Sequence, residues 1–294
     1  TSFHNLTLRI IRNQQSEITK GCVMERPKVI YNEKTGKFVM WFHLELKGQG
    51  YKAARAALAI SDEVTGPYTF VRSERINKGF FPFDMPDDIR KLYFDPGKYS
   101  TWWTPSWYKA VESGLFLKRD LEKGQMARDM TLFVDDDGKA YHIYASEENL
   151  TLHIAELTDD YTAHTGKYVR VAPGGHNEAP TLFKRKGIYW MITSGCSGWE
   201  PNAARMFSAP SIWGPWKSYY NPCRGKKSEI TFGGQGTYIL QVGGKKDAYI
   251  FMADRWRPKH PIDGRYMWLP IQFENDIPYL EWMDEWNLDF FIKE

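Results

Sequence analysis

Four stretches of this chain share one pattern of apolar and polar positions. They are "ERPKVIYNEKTGKFVMWFH" from Glu25, "DMTLFVDDDGKAYHIYAS" from Asp129, "EAPTLFKRKGIYWMITSG" from Glu178 and "QGTYILQVGGKKDAYIFMAD" from Gln235. In each, a short apolar run meets a Gly-containing turn, and a second, aromatic-rich run returns. That is the signature of a β-hairpin. Each stretch opens with Glu, Asp or Gln, then any residue, then Pro or Thr.

A second echo lies outside the hairpins. "ALAISDEVTGPYTF" (Ala57 to Phe70) resembles "MFSAPSIWGPWKSY" (Met206 to Tyr219), a strand, a Gly-Pro-aromatic turn and another strand. Each repeat therefore carries about four strands, and no long helical periodicity competes with them. Lys52 to Ile60 fits a helix and a strand equally well. Repeats of this kind predict an all-β fold, a five-bladed β-propeller forming one domain over residues 1–294. The last stretch, Gly264 to Phe291, is expected to supply the fifth blade with the N-terminal segment. A two-sheet sandwich is the structural alternative. Residues 72–127, with clustered aromatics and prolines and no clear hairpin, read as an insertion between the first and second blades, and loops of such length are commonly functional.

Composition narrows the function. Aromatics make up 16% of the 294 residues, suited both to sheet cores and to stacking on sugar faces. A formal charge of +3 with no basic stripe argues against nucleic acid. No apolar run is long enough to span a membrane. Cys22, Cys196 and Cys223 share no metal-ligand spacing, and their odd number excludes a complete set of intrachain disulfides. No metal or other cofactor is expected. Sequons at Asn5 and Asn149 matter only in a eukaryotic secretory setting. The start at Thr1 fits a processed chain, and a secreted or periplasmic protein is expected, its signal peptide lying outside this sequence.

The polar residues that open the hairpins carry the chemistry. In a propeller the innermost strands line a central channel, so Glu25, Asp129, Glu178 and Gln235 are expected to converge at one mouth. Crowded carboxylates hold at least one proton near neutrality, as glycoside hydrolysis requires. Singly, such an acid more often serves a backbone N–H or an arginine, and Arg26 and Arg128 are adjacent; equivalence across four repeats favours the site. The residues following each return strand should form the rim: His43 to Tyr51, Glu147 to Asn149, Ser194 to Asn202 and Asp254 to Trp256. Trp199, in the Gly/Ser-rich "SGCSGWEPN", suits stacking on a sugar beside Asn202, or else caps a blade edge. "VDDDG" at Val134 reads as a hairpin turn and not a calcium loop.

These residues resemble glycoside hydrolase family 43, five-bladed propellers acting by inversion. "RDMTLFVDDDGKAY" resembles the motif whose Asp tunes the pKa of the acid, here Asp129, and "NEAPTLFKRKGIYWMITSG" the general-acid motif, here Glu178. The subgroup of exo-β-1,3-galactanases is most similar, through "ERPKVIYN", "SGxxGWxPN", "GPW", "TFxxQxT" and "DRW…RYxWLP". Most of the family places a catalytic Asp where this chain has Arg26. In the subgroup the base role falls to the Gln matching Gln235, which positions water or acts through an imidic tautomer, while Glu25 would bind a sugar hydroxyl. Chemistry alone favours Glu25 as base, since a carboxylate accepts a proton and an ordinary amide does not. The resemblance implies that Tyr51, Trp199 and Asn202 hold the terminal galactose; Cys196 stands where the subgroup tends to have Thr, and Glu147 is counted with these binding residues from its place on the rim.

The expected function is therefore that of an inverting exo-glycosidase releasing galactose from the non-reducing end of β-1,3-galactan. The partner would be an oligo- or polysaccharide, with neither nucleic acid nor membrane, and a monomer is expected. A β-galactofuranosidase or α-L-arabinofuranosidase, and a carbohydrate-binding propeller without turnover, are the alternatives.

Overall fold

A computed structural model describes residues 10–11, 16–257 and 259–292. The Asn5 sequon lies outside the described residues. The chain forms two compact units, residues 1–174 and 175–294, and both are built mainly from antiparallel β-sheet with one parallel pair each.

The first unit begins with β1 (Ile10–Ile11), β2 (Val23–Asn32), β3 (Lys37–Glu45), β4 (Arg55–Ser61) and β5 (Tyr68–Glu74), in the spatial order β1-β5-β4-β3-β2. The ambiguous Lys52–Ile60 segment resolves as strand β4. Its alanines, Ala56, Ala57 and Ala59, are fully buried and let the sheet pack on both faces. β1 pairs in parallel with β5 at Ile10↔Tyr68, so this described N-terminal strand extends the first sheet and does not join the last one as expected. Three short helices follow, α1 (Asp87–Lys91), α2 (Pro105–Glu112) and α3 (Leu115–Asp120). Helix α2 starts where Thr104 accepts a hydrogen bond from the Trp107 N–H and Pro105 occupies the first turn. Its Trp107, Ala110 and Val111 are buried with Leu115 and Phe116 of α3. The second sheet is β6 (Met130–Val134), β7 (Ala140–Ser146), β8 (Thr151–Leu157) and β9 (His164–Val171), in sequential order. One core joins the two sheets of this unit through Val39, Trp41, Leu58, Leu132, Tyr144 and Tyr168.

The second unit opens with a four-stranded sheet, β10 (Asn177–Arg185), β11 (Ile188–Gly195), β12 (Arg205–Ala209) and β13 (Lys217–Tyr219). β14 (Cys223–Arg224) comes next. A three-stranded sheet is built from β15 (Gln235–Gln241), β16 (Tyr249–Arg255) and β17 (Arg265–Pro270), while β14 joins β18 (Gln272–Glu274) and β19 (Ile277–Glu281) in the order β14-β19-β18. The stretch expected to form one last blade is thus divided, its first strand completing the sheet of β15. Phe183, Trp190, Phe251, Met267 and Leu280 fill the core of this unit. The four predicted hairpins are present as β2–β3, β6–β7, β10–β11 and β15–β16.

Candidate active site

The residues that open the four hairpins hold matching positions, and three of them do so by the same backbone device. Glu25 pairs with His43 and Glu178 with Ser194, and in both strands the register shifts directly afterwards. The bulge residue is Arg26 in one (φ 53°) and Ala179 in the other (φ 48°), each followed by proline. A left-handed non-glycine residue stores about 1–3 kcal/mol of strain, and a bulge of this kind re-aims the side chain next to it. Gln235 pairs with Asp254 and its strand also shifts register after Gly236. Gly236 is needed for close approach, since a Cβ there would meet the Phe251 ring at 3.1 Å and Thr181 at 3.2 Å. Asp129 lies just ahead of β6, where Arg128 and Asp129 together face Ala145. Its carbonyl accepts the Ala145 N–H at 2.9 Å, and the Arg128 N–H donates to the Ala145 carbonyl at 3.0 Å.

In the first unit these positions gather a charged cluster. The Tyr51 hydroxyl donates to Glu25 Oε1 at 2.7 Å, and His43 Nδ1 lies 3.2 Å from Glu25 Oε2. On its other side His43 Nε2 is 2.8 Å from Glu45 Oε1, and Glu45 Oε2 accepts the Ala54 N–H at 3.0 Å. Burial pushes the His43 pKa down, but the hydrogen bonds and charges of Glu25 and Glu45 outweigh it and leave it raised. Burial likewise pushes the Glu25 pKa up, while hydrogen bonds from His43 and Tyr51 and the charges of His43 and Arg26 bring it below the ordinary value. An imidazolium between two carboxylates is the state this geometry favours, with both ring N–H groups donating. For Tyr51, burial and the neighbouring Glu25 raise the phenol pKa, so the hydroxyl stays a donor. Arg26 reaches across to Asp129, its Nε 3.3 Å from Oδ2. Arg128 instead supports the Tyr51 segment, donating to the Tyr51 carbonyl at 2.7 Å, and pairs with Glu148 at 3.1 Å.

Glu147 is not at a solvent-facing rim. It is fully buried, and its carboxylate accepts from His153 at 2.8 Å and from Arg170 at 2.7 Å through each oxygen. Burial alone would raise its pKa; the Arg170 charge and the bonds from His153 and Arg170 prevail and hold it down, at about 2. Arg170 also donates to the Val111 and Glu112 carbonyls at the end of α2. This carboxylate therefore ties the helical segment to the second sheet and has no surface to offer a sugar.

In the second unit Ser194 connects two of the expected residues. It is the cross-strand partner of Glu178, and its Oγ accepts a hydrogen bond from Gln235 Nε2 at 2.8 Å. The loop that follows is closed by Asn202. The Asn202 amide accepts from the Gly195 N–H at 2.7 Å and donates to the Gly195 carbonyl at 2.9 Å and to Ser197 Oγ at 2.6 Å. With both amide hydrogens so engaged, Asn202 shapes the loop around half-buried Cys196. Trp199 projects from this loop with 59% of its surface exposed, its ring centroid 5.7 Å from that of Trp256, itself 45% exposed. Two neighbouring exposed indoles form a platform for a flat apolar sugar face. Arg205 fixes the entry to β10 by donating to the Gly175 and His176 carbonyls and to Asn177 Oδ1.

His43, Glu45 and Ser194 are the residues whose roles the sequence did not single out. A signal existed for the first two: His43 and Glu45 lie two apart on one strand, hence on one face, opposite Glu25. Among the described residues, no three His, Cys, Asp or Glu side chains are grouped to hold a metal ion, and no helix is long and apolar enough to cross a membrane.

Glu25, Glu178 and Gln235 each stand beside a bulge at the start of a hairpin, and comparisons with known proteins place the chain among glycosidases. The family model for glycosyl hydrolases family 43 matches residues 102–278. A solved family-43 β-1,3-galactosidase, crystallised with galactodeoxynojirimycin, is 61% identical, with 95% of this chain and 81% of that one aligned at a TM-score of 0.92. The exo-β-1,3-galactanase of Clostridium thermocellum is 34% identical over 88% of this chain, with a TM-score of 0.68; the alignment spans 48% of that longer chain. A β-D-galactofuranosidase of Aspergillus niger is 32% identical over 97 residues, and this chain spans 28% of its length. The chain belongs to glycosyl hydrolase family 43.

Proposed function

We propose that this chain is an inverting exo-acting glycoside hydrolase that removes galactose from the non-reducing end of β-1,3-galactan. Glu178 protonates the leaving oxygen and Asp129 sets the acidity of that proton. Gln235 holds the attacking water, and Glu25 accepts a hydroxyl of the terminal sugar. The five sheets are the blades of one propeller in this reading, which acts outside the cytoplasm.

The observation that carries the reading is the Glu178–Ser194–Gln235 arrangement. A carboxylic acid and a water-orienting amide flank one serine within the same unit, and inversion asks for an acid and a water-holding group roughly 6.5–9.5 Å apart. The state of Glu25 supports the division of labour. Its lowered pKa makes it a weak base and a good hydroxyl acceptor, which leaves the water to Gln235. The galactose-directed names of the similar solved proteins favour galactan as substrate.

The test is incubation with β-1,3-galactobiose, followed by proton NMR from the first turnovers. Release of galactose initially as the α-anomer is the expected result; the β-anomer would overturn inversion, and no galactose the substrate. The galactofuranosidase match favours a second reading, and turnover of a nitrophenyl galactofuranoside in place of galactobiose would select it.

A further inference from the structure

The second unit carries a cleft of about 560 Å³ that none of the roles above uses. That volume suits a small ligand such as one or two sugar rings. Four cationic side chains line it, Arg224, Lys226, Lys227 and Arg255, against two acidic ones, Glu281 and Asp284. One of those acids is committed to the wall: Asp284 Oδ1 accepts the Trp282 indole N–H at 2.7 Å and so fixes the ring. Phe232 lies 6.0 Å from that ring, and the Arg255 guanidinium 5.6 Å from its centroid. Arg224 is stacked on Tyr279 at 3.9 Å and paired with Glu274 at 2.8 Å.

Two further features mark this as a built cleft. The backbone bordering it is strained, with Lys227 (φ 66°), Thr231 (φ 50°) and Phe232 (φ 56°) in the left-handed region. Such conformations cost energy and persist where the surroundings fix them. Here the Phe232 N–H donates to the Lys227 carbonyl at 2.8 Å and Thr231 Oγ1 to the Asn202 carbonyl at 2.7 Å. The cleft also adjoins the candidate chemistry, because Arg255 directly follows Asp254, the strand partner of Gln235. Like charges brought together repel, and a neutral sugar has no use for them. A ligand that presents an anion to the arginines and lysines and a ring face to Trp282 satisfies both features.

We infer that this cleft is a binding subsite for an acidic saccharide, the carboxylate of a uronic acid unit meeting Lys226, Lys227 and Arg255 while its ring rests on Trp282. That the acidic sugar is a substituent of a galactan chain rests on the proposed function; the anion-and-ring recognition does not.

The experiment titrates the full chain with galacturonate, galactose and inorganic phosphate at low salt, by calorimetry. Galacturonate is expected to bind about tenfold more tightly than either of the others. Lys226→Glu combined with Lys227→Glu, both exposed and tolerant of change, should weaken galacturonate about tenfold or more and leave galactobiose turnover within about twofold. Trp282→Ala should weaken galacturonate as well. Equal binding of galactose, equal binding of phosphate, or indifference to the lysine variants would each overturn the inference. Galacturonate binding through the lysines, with no galactan donor hydrolysed, would sink the proposed function and leave this subsite standing.

Discussion

The side-chain amide of Gln235 donates to Ser194 Oγ across 2.8 Å, and this fixes which end of the amide faces which way. With Nε2 committed to Ser194, the carbonyl oxygen is turned away from that serine, as an acceptor for water must be. Ser194→Ala removes the constraint and keeps Gln235. A net hydrogen bond contributes about 0.5–1.5 kcal/mol, so kcat should fall about 2- to 10-fold with KM little changed. Gln235→Ala, which removes the group proposed to hold the water, should cost about 10²- to 10⁴-fold. Steady-state kinetics on galactobiose separates the two. Equal losses in both variants would mean that Ser194 does more than orient.

A pH dependence follows from His43. Neutral imidazole has a single N–H and can serve only one of Glu25 and Glu45, whereas the imidazolium serves both. The folded-state pKa of His43 is raised above its ordinary value. Its stabilising contribution is therefore fully present below the unfolded-state pKa of about 6.5, and is lost as pH rises through the folded value. Glu25, whose pKa is lowered, contributes stability present above its unfolded value and lost as pH falls through its folded one. Tm should decline on the alkaline side in wild type, and His43→Gln should flatten that limb, because no titrating group remains between the carboxylates. A wild-type Tm that is constant from neutral to mildly alkaline pH would contradict the charged triad.

Glu147 yields a stability prediction and not a kinetic one. Breaking a buried ion pair by removing one partner costs about 3–5 kcal/mol, since the other charge is left without compensation. Glu147→Gln leaves Arg170 in that position and should lower Tm markedly. The loss should shrink as pH falls toward about 2, where wild-type Glu147 itself takes up a proton. Thermal melts of both proteins from neutral to acid pH check this. A Tm unchanged at neutral pH with a raised KM would instead return Glu147 to the sugar.

Much of this was legible in the chain. A short apolar run, a Gly-containing turn and an aromatic-rich return specify a hairpin almost by themselves, and all four were readable. The polar residue opening each hairpin was visible because a charged or amide group at the mouth of an apolar strand is costly unless it is paired. The bulges were not visible: nothing in "ERP" or "EAP" states that Arg26 and Ala179 adopt positive φ, since only the surrounding sheet enforces it. The Glu25–His43–Glu45 chain was missed for a similar reason, as it depends on register between two strands. Helix α2 escaped because "TPSWYKAVE" lies in an aromatic-rich segment whose rings mask its cap-and-proline start. Glu147 misled in the opposite sense. Its position after a return strand suggested a rim, but the partner that buries it, Arg170, lies 23 residues on.

The role of Glu178 can be separated from mere positioning by changing the leaving group. A general acid matters in proportion to how badly the departing oxygen needs a proton. Glu178→Gln should lower kcat/KM on galactobiose about 10²- to 10⁴-fold, because an alkoxide of a second sugar leaves poorly. With an activated aryl galactoside, whose phenolate departs without protonation, the same variant should lose far less. Asp129→Asn should follow the same pattern in weaker form if its task is to set the acidity of Glu178. If Glu178→Gln is equally impaired on both donors, Glu178 shapes the site without donating the proton.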